Sequence, residues 1–259
     1  MKLSLNDVKE HLDDALIKYA QPGFIGSDPI QIPHSFTRKQ DIEIAGLFAA
    51  TLAWGQRKTI INKCNELMDM MDRAPYDFVV GHSEEELQRL SSFKHRTFNN
   101  EDLRYFIRFL NFWYSQNDSL EELFYVSPDK STHPVKEGLI NYHQTFFSLQ
   151  DAPSRTKKHV STPERKSACK RLNMYLRWMV RSDREGIDFG IWNKISTADL
   201  ICPLDVHVER IAKALNLLKR KQSDWLAAEE LTSNLKKMNP EDPVKYDLAL
   251  FGLGVMEGI

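Results

Sequence analysis

Cysteine is scarce: Cys64, Cys169 and Cys202 are the only three among 259 residues. An odd count with no metal-type spacing argues against a disulfide framework and against a structural zinc site, and it fits a reducing compartment. Long apolar runs are missing too. No stretch approaches the roughly 20 residues that a bilayer-spanning helix needs, so no membrane association is expected. The chain begins MKLSLNDVKEHLDDALIKYA, an amphipathic pattern carrying acids rather than a basic-then-apolar targeting signal. The expected compartment is the cytoplasm. Net charge is nearly absent, since 35 basic residues stand against 36 acidic ones for a balance of −1. The chain as a whole therefore advertises no polyanionic partner. Strand-like alternation is rare, and internal repeats and low-complexity tracts do not occur.

What the sequence does contain is helical periodicity. It recurs through residues 5–20, 39–54, 57–72, 101–115, 135–149, 163–181, 206–219, 224–237 and 243–256. DIEIAGLFAATLAW is apolar nearly all round, which predicts a central buried helix. In EDLRYFIRFLNFWY the residues Leu103, Phe106, Ile107, Leu110 and Trp113 fall on one stripe that reads as core. TPER and DPVK have the form of helix starts, a cap followed by proline at the first helical position. FYVSPDKSTHPV and QDAPSRTKKHVS read as loops. The expected fold is all-α: a single domain of two helical lobes, one from about residues 36–160 and the other from 1–35 plus 161–259.

Charge is unevenly placed. Between Ser154 and Arg171 stand Arg155, Lys157, Lys158, Arg165, Lys166, Lys170 and Arg171 against Glu164 alone, a local balance of +6. Such a block forms either one positive face or a solvated loop. Further on, Lys170, Arg177 and Arg181 recur at offsets of seven and eleven, which places them near one another on a helix face. That row reads either as phosphate contacts or as an ordinary solvated face.

The stretch LICPLDVHVERIAKALNLL sets Asp205 between Leu204 and Val206, just before a helix with Val208, Ile211, Ala212, Leu215 and Leu218 on its apolar side. Aspartate at that point is a favoured helix cap, accepting hydrogen bonds from the first free amides. A charge in so apolar a setting also needs a partner. The residues alone leave open whether Asp205 is a cap or part of a chemical site.

CKRLNMYLR followed by PLDVHVERIAKALNL resembles the helix-hairpin-helix DNA glycosylases of the endonuclease III type. Lys170 to Leu176 resembles the helix that opens on their catalytic lysine. Leu204 to Ile211 resembles the segment carrying their aspartate. DIEIAGLFAATLAWGQRKTIINKC is similar to their first core helix and glutamine-bearing turn, with Gln56 as the nearest match and Arg57 and Lys58 following. YDLALFGLGVME is similar to the closing helix. The resemblance covers residues 36–72 and 160–259 and is closest to an uncharacterised family within that superfamily.

It implies Lys170 as an amine nucleophile at a sugar C1′ and Asp205 as the carboxylate that steadies the developing cation. It also implies a damaged base flipped out of duplex DNA, with His207 and Asn173 supporting the pair. Gln56 would fill the gap in the duplex, and the other nucleic-acid contacts would come from Arg57, Lys58, Arg155, Lys157, Lys158, Arg165, Lys166, Arg171, Arg177 and Arg181. No cofactor or metal is implied, and the protein is expected to act as a monomer.

Three departures stand out. Lys166 and Ala168 occupy the places of the hairpin glycines, STPERK suggests an early helix start with a long basic loop at 150–162, and the four cysteines of an iron–sulfur cluster are missing. A left-handed turn without glycine is costly. A catalytically degenerate nucleic-acid-binding module is thus the alternative to an enzyme. The distance between the Lys170 amine and the Asp205 carboxylate bears directly on the choice, with about 10 Å as the outer limit of plausible contact.

Overall fold

A computed structural model describes residues 4–256. Twelve α-helices occur among these residues, in chain order α1 (Leu5–Tyr19), α2 (Lys39–Leu52), α3 (Arg57–Met70), α4 (Pro75–Gly81), α5 (Glu84–Arg89), α6 (Asn100–Tyr114), α7 (Glu121–Phe124), α8 (Pro134–Phe146), α9 (Lys170–Val180), α10 (Val206–Ala214), α11 (Trp225–Lys236) and α12 (Tyr246–Met256). The only sheet among them is an antiparallel hairpin of β1 (Lys94–His95) and β2 (Phe98–Asn99). The fold is all-α. No helix among the described residues is long and apolar enough to cross a membrane. The chain divides into two compact units, residues 25–125 with 138–161, and residues 1–24 with 126–137 and 162–259.

Local chemistry explains where several helices begin. Ser4 with Asp7, Ser83 with Glu86, and Asn99 with Asp102 each form a reciprocal capping box at the starts of α1, α5 and α6. Each box satisfies two backbone amides that the helix cannot pair internally. The short α4, α5 and α7 and the β-hairpin lie in stretches where hydrophobic periodicity is too brief to read.

Two helix starts differ from the sequence expectation. TPER forms a 3-10 turn at Pro163–Arg165, and DPVK another at Pro243–Lys245. Helix α9 begins only at Lys170, because Lys166 and Cys169 adopt left-handed backbone angles, φ 61° and 49°. Between them Ser167 pairs with Asp224, and the Trp225 amide donates to the Lys166 carbonyl at 3.2 Å. A tertiary pairing thus holds a turn where periodicity alone predicted a continuous helix. The 150–162 stretch is likewise no plain loop, since Ser154–Lys158 makes a 3-10 turn.

In the unit of residues 25–125 and 138–161, α2 is buried continuously from Ile42 to Leu52 and packs against α3 and α4. Even Glu43 is fully enclosed, accepting hydrogen bonds from the Tyr114 and Ser119 hydroxyls and the Leu120 amide. The expected stripe of α6 is core at Leu103, Phe106, Ile107 and Leu110. Trp113 is only half-buried and donates its indole N–H to the Ser119 carbonyl at 2.9 Å. Phe106 and Phe109 each lie 4.6 Å from Phe146 of α8, centroid to centroid. Gly138 is required for the approach of α8 to α7, since a Cβ there would meet the Phe124 carbonyl oxygen at 2.0 Å.

A buried carboxylate ties this unit together. Asp102 accepts from the Asn99 amide at 3.0 Å, the Thr156 hydroxyl at 2.8 Å and the Arg155 guanidinium, with His159 Nε2 at 3.3 Å. Arg155 also donates to Thr97 O at 3.0 Å and to the Asn99 side chain, so it clamps the β-hairpin. In the other unit α12 packs between α1 and α10. Gly252 permits the first contact, because a Cβ there would sit 2.3 Å from the Tyr19 ring. Leu12, Leu204, Val208, Ala212, Leu231, Leu250 and Leu253 belong to its core.

The Asp102 cluster generates a pH prediction. Burial pushes this carboxyl up, but the neighbouring His159 and hydrogen bonds from the Asn99 amide and Thr156 outweigh it and bring the pKa to about 2 from 3.8. A depressed carboxylate contributes stability that is present above the unfolded pKa and lost as pH falls through the folded one. Asp102→Asn should therefore lower the urea midpoint at pH 5, and the gap to the wild-type protein should narrow as pH falls from about 4 to about 2. A gap independent of pH would remove the ionised carboxylate from the account.

Candidate functional site

The site lies within one unit, where the start of α9 meets the start of α10. The turn before α9 is held by its own polar groups. The Cys169 amide donates to the Ser167 hydroxyl at 3.1 Å, and Asn173 Nδ2 donates to the Ala168 carbonyl at 3.0 Å. Asn173 therefore supports Lys170 by fixing the backbone that precedes it. Helix α9 has no side-chain cap at Cys169, so the first residue it presents is the lysine itself.

Asp205 divides its two oxygens. Oδ1 accepts from the amides of His207 and Val208, both at 2.9 Å, and so caps α10. Oδ2 lies 4.0 Å from Lys170 Nζ. The carboxylate is 19% exposed and the lysine side chain 31%, which leaves the pair reachable from solvent. Capping and pairing are thus compatible, because they use different atoms. The distance falls well inside the limit set from the sequence. His207 contributes its backbone amide to the cap. Its ring packs edge-on against Phe251, with centroids 6.1 Å apart.

Behind the pair is a buried ionic network. Arg177 donates to Asp247 and, at 3.2 Å, to Asp188. Arg181 faces Asp188 at 2.9 Å, Asp183 at 3.1 Å and Asp242 at 2.9 Å. Burial raises the Asp247 carboxyl to about 6; Arg177 and Lys170 oppose that rise, while the negative charge of Asp205 adds to it. Cys202, whose Sγ is 4.0 Å from Asp247 Oδ1, has its thiol pushed well up by burial and by that carboxylate. It is a poor candidate for a nucleophile.

This network corrects one expectation. Arg177 and Arg181 are not a phosphate-contacting stripe, for both are buried and bound to carboxylates. Their helical spacing does place them on one face, but that face packs against acids that arrive from residues 183–188 and 242–247. Arg155 is likewise engaged, by Asp102 and the hairpin.

The remaining basic positions are more open. Arg165 and Lys166 are exposed at the turn before Lys170, while Arg171 is half-buried. In the other unit Gln56, Lys58 and Lys158 are exposed, Arg57 is half-buried, and the half-buried Lys157 has its amine 5.9 Å from the Phe147 ring. The acids of the network went unrecognised in the sequence. Asp247 had a visible signal, a lone acid in the otherwise apolar YDLALFGLGVM. Among the described residues no group of three or more His, Cys, Asp or Glu is placed to hold a metal ion.

A family described as Protein of unknown function (DUF2400) has a model that matches residues 28–256. No curated protein and no solved structure matches the chain.

Two stability predictions follow from the geometry. Arg177→Ala strands Asp247 in the interior and leaves Asp188 to Arg181 alone, and it should cost about 3–5 kcal/mol in urea unfolding, the usual penalty for breaking a buried pair. A loss within ~0.5 kcal/mol, as expected for an ordinary surface change, would show the network to be solvated. Lys166→Gly relieves a left-handed lysine while loosening the unfolded chain, and should change stability by less than about 1 kcal/mol. Lys166→Val at the same angle should destabilise clearly.

Proposed function

The chain belongs to the DUF2400 family, and from that premise we propose that it is a DNA base-excision glycosylase with Schiff-base lyase capability, using Lys170 and Asp205. The observation that carries the reading is the 4.0 Å approach of Lys170 Nζ to Asp205 Oδ2, with Oδ1 fully committed to the helix cap. The resemblance of these segments to helix-hairpin-helix glycosylases supports it. So does the backbone of the turn, which is left-handed at Lys166 although glycine is missing there.

The chemistry asks for two groups. An amine attacks the sugar C1′ as the bond to the damaged base breaks, the base leaving with the bonding electrons. Loss of a proton from nitrogen and opening of the sugar ring then give an iminium, the species from which strand cleavage proceeds. A carboxylate beside C1′ steadies the positive charge that develops there. Lys170 supplies the first group and Asp205 the second. Exposed Arg165 and Lys166 stand at the same turn, available to the phosphates of a duplex whose target base has been flipped out.

The second reading is a nucleic-acid-binding module without chemistry. It is favoured by the loss of both hairpin glycines and by Arg165 and Lys166, which pair with no carboxylate among the described residues.

Borohydride trapping separates the two. Wild-type protein with duplex DNA carrying an abasic site should give a covalent adduct, and Lys170→Ala should give none while retaining the wild-type circular dichroism. Asp205→Asn still caps α10 and should keep duplex affinity, but should slow turnover on a damaged base by about 10²–10³-fold. Absence of any adduct across abasic and damaged-base duplexes, with salt-sensitive binding intact, would transfer the assignment to the binding module.

A further inference from the structure

The unit of residues 25–125 and 138–161 carries a set of cations that the lysine–carboxylate site does not use. Its arginines are mostly neutralised: Arg38, Arg73, Arg89, Arg104, Arg108 and Arg155 each face a carboxylate within 4 Å. Arg96 faces a ring instead. Its guanidinium lies 4.8 Å from the centroid of Trp54, and no carboxylate pairs with it among the described residues.

The surroundings hold it there. Arg96 sits at the tip of the β-hairpin with φ 56°, a left-handed angle that costs a non-glycine residue about 1–2 kcal/mol. Gly55, at φ 114°, leaves the space the guanidinium fills, since a Cβ there would come within 2.7 Å of Arg96 Nη1. His95 turns inward, its Nε2 3.3 Å from the Trp54 carbonyl, so the alternation of the strand leaves Lys94 outward and exposed. Behind the hairpin, Arg155 grips Thr97 O and the Asn99 side chain. Beside it α3 starts with exposed Lys58 and no acid in its first turn.

Two features therefore coincide. The hairpin backbone and the contact with the Trp54 ring hold Arg96 in place, which lowers the conformational cost of binding. Lys58, Lys94 and Arg96 also lack acidic partners among the described residues, so their charge is available to an anion. A guanidinium that meets an indole instead of a carboxylate keeps N–H donors for an anion, and its planar fork matches phosphate.

We propose that the Trp54–Lys58 turn and the tip of the Lys94–Asn99 hairpin form a phosphate-backbone contact for duplex DNA, with Arg96 as its fixed anchor and Lys58 and Lys94 as flanking charges. This rests on the nucleic-acid reading above and adds a surface on the other unit.

The test is fluorescence anisotropy of a labelled duplex carrying a tetrahydrofuran abasic analogue, titrated at several salt concentrations. Each lost phosphate contact should weaken binding roughly tenfold at 0.1 M salt and reduce the log–log salt slope by about one. The Lys94→Ala/Arg96→Ala double variant should thus lose about two from the slope. Gly55→Ala, which crowds the guanidinium at a backbone angle that alanine adopts only with strain, should weaken binding, and Arg96→Lys should keep only part of the affinity because it retains the charge without the planar guanidinium. If wild-type protein binds the duplex and the double variant matches it in affinity and slope, this surface is overturned while the lysine–carboxylate reading stands. If wild-type protein shows no salt-sensitive binding at all, the nucleic-acid reading itself fails. Equal competition by polyglutamate of matched charge would overturn the assignment to duplex DNA.

Discussion

The division of labour within one carboxylate organises the candidate site. Asp205 has to end an apolar approach and start α10, and one oxygen suffices, since Oδ1 takes both amides. The second oxygen is then held in a fixed direction by a group that cannot rotate away without uncapping the helix. That direction leads to Lys170. A carboxylate anchored by its own backbone is better placed than a mobile surface acid to meet an amine, because its orientation has been set by folding and not by binding. Removing the cap would therefore disturb the pair, and moving α9 would leave the free oxygen facing nothing.

What keeps α9 in place is the ionic layer beneath. Taking two guanidiniums and their acids out of water costs several kcal/mol per ion, and only dense mutual pairing offsets it. Arg177 bridges Asp188 and Asp247, and Arg181 reaches Asp183, Asp188 and Asp242. The layer ties α9 to the following loop, to the 3-10 turn before α12 and to α12 itself. It also sets the field behind the site. Burial raises the Asp247 carboxyl to about 6, a rise that the negative charge of Asp205 adds to and that Arg177 and Lys170 oppose.

How far the sequence revealed this depends on the range of each interaction. The apolar α2 and the stripe of α6 were legible because burial follows from composition over a few turns of helix. Asp205 was legible as a cap because capping is local, involving residues two and three positions on. Its meeting with Lys170, 35 positions earlier in the chain, was reached only through resemblance, since no local rule brings those residues together. Arg177 and Arg181 were misread for the same reason. A row of cations on one face looks solvated, or ready for phosphate, until acids from 61 and 70 positions away are placed against it. The hairpin and short helices of residues 75–124 leave too brief a pattern to count.

The turn before Lys170 shows how left-handed backbone angles are held at residues other than glycine. Left-handed angles at Lys166 and Cys169 are unfavourable for side chains with a Cβ, by about 1–2 kcal/mol each. Neither residue is left to bear that alone. The Lys166 carbonyl receives the Trp225 amide, the Cys169 amide finds the Ser167 hydroxyl, and the Ala168 carbonyl takes Asn173 Nδ2. Three hydrogen bonds, each worth about 0.5–1.5 kcal/mol net, are of the size needed to hold two strained residues. Hydrogen bonding from neighbouring groups therefore holds a left-handed turn that glycine would adopt without strain, and it leaves an exposed lysine four residues before Lys170.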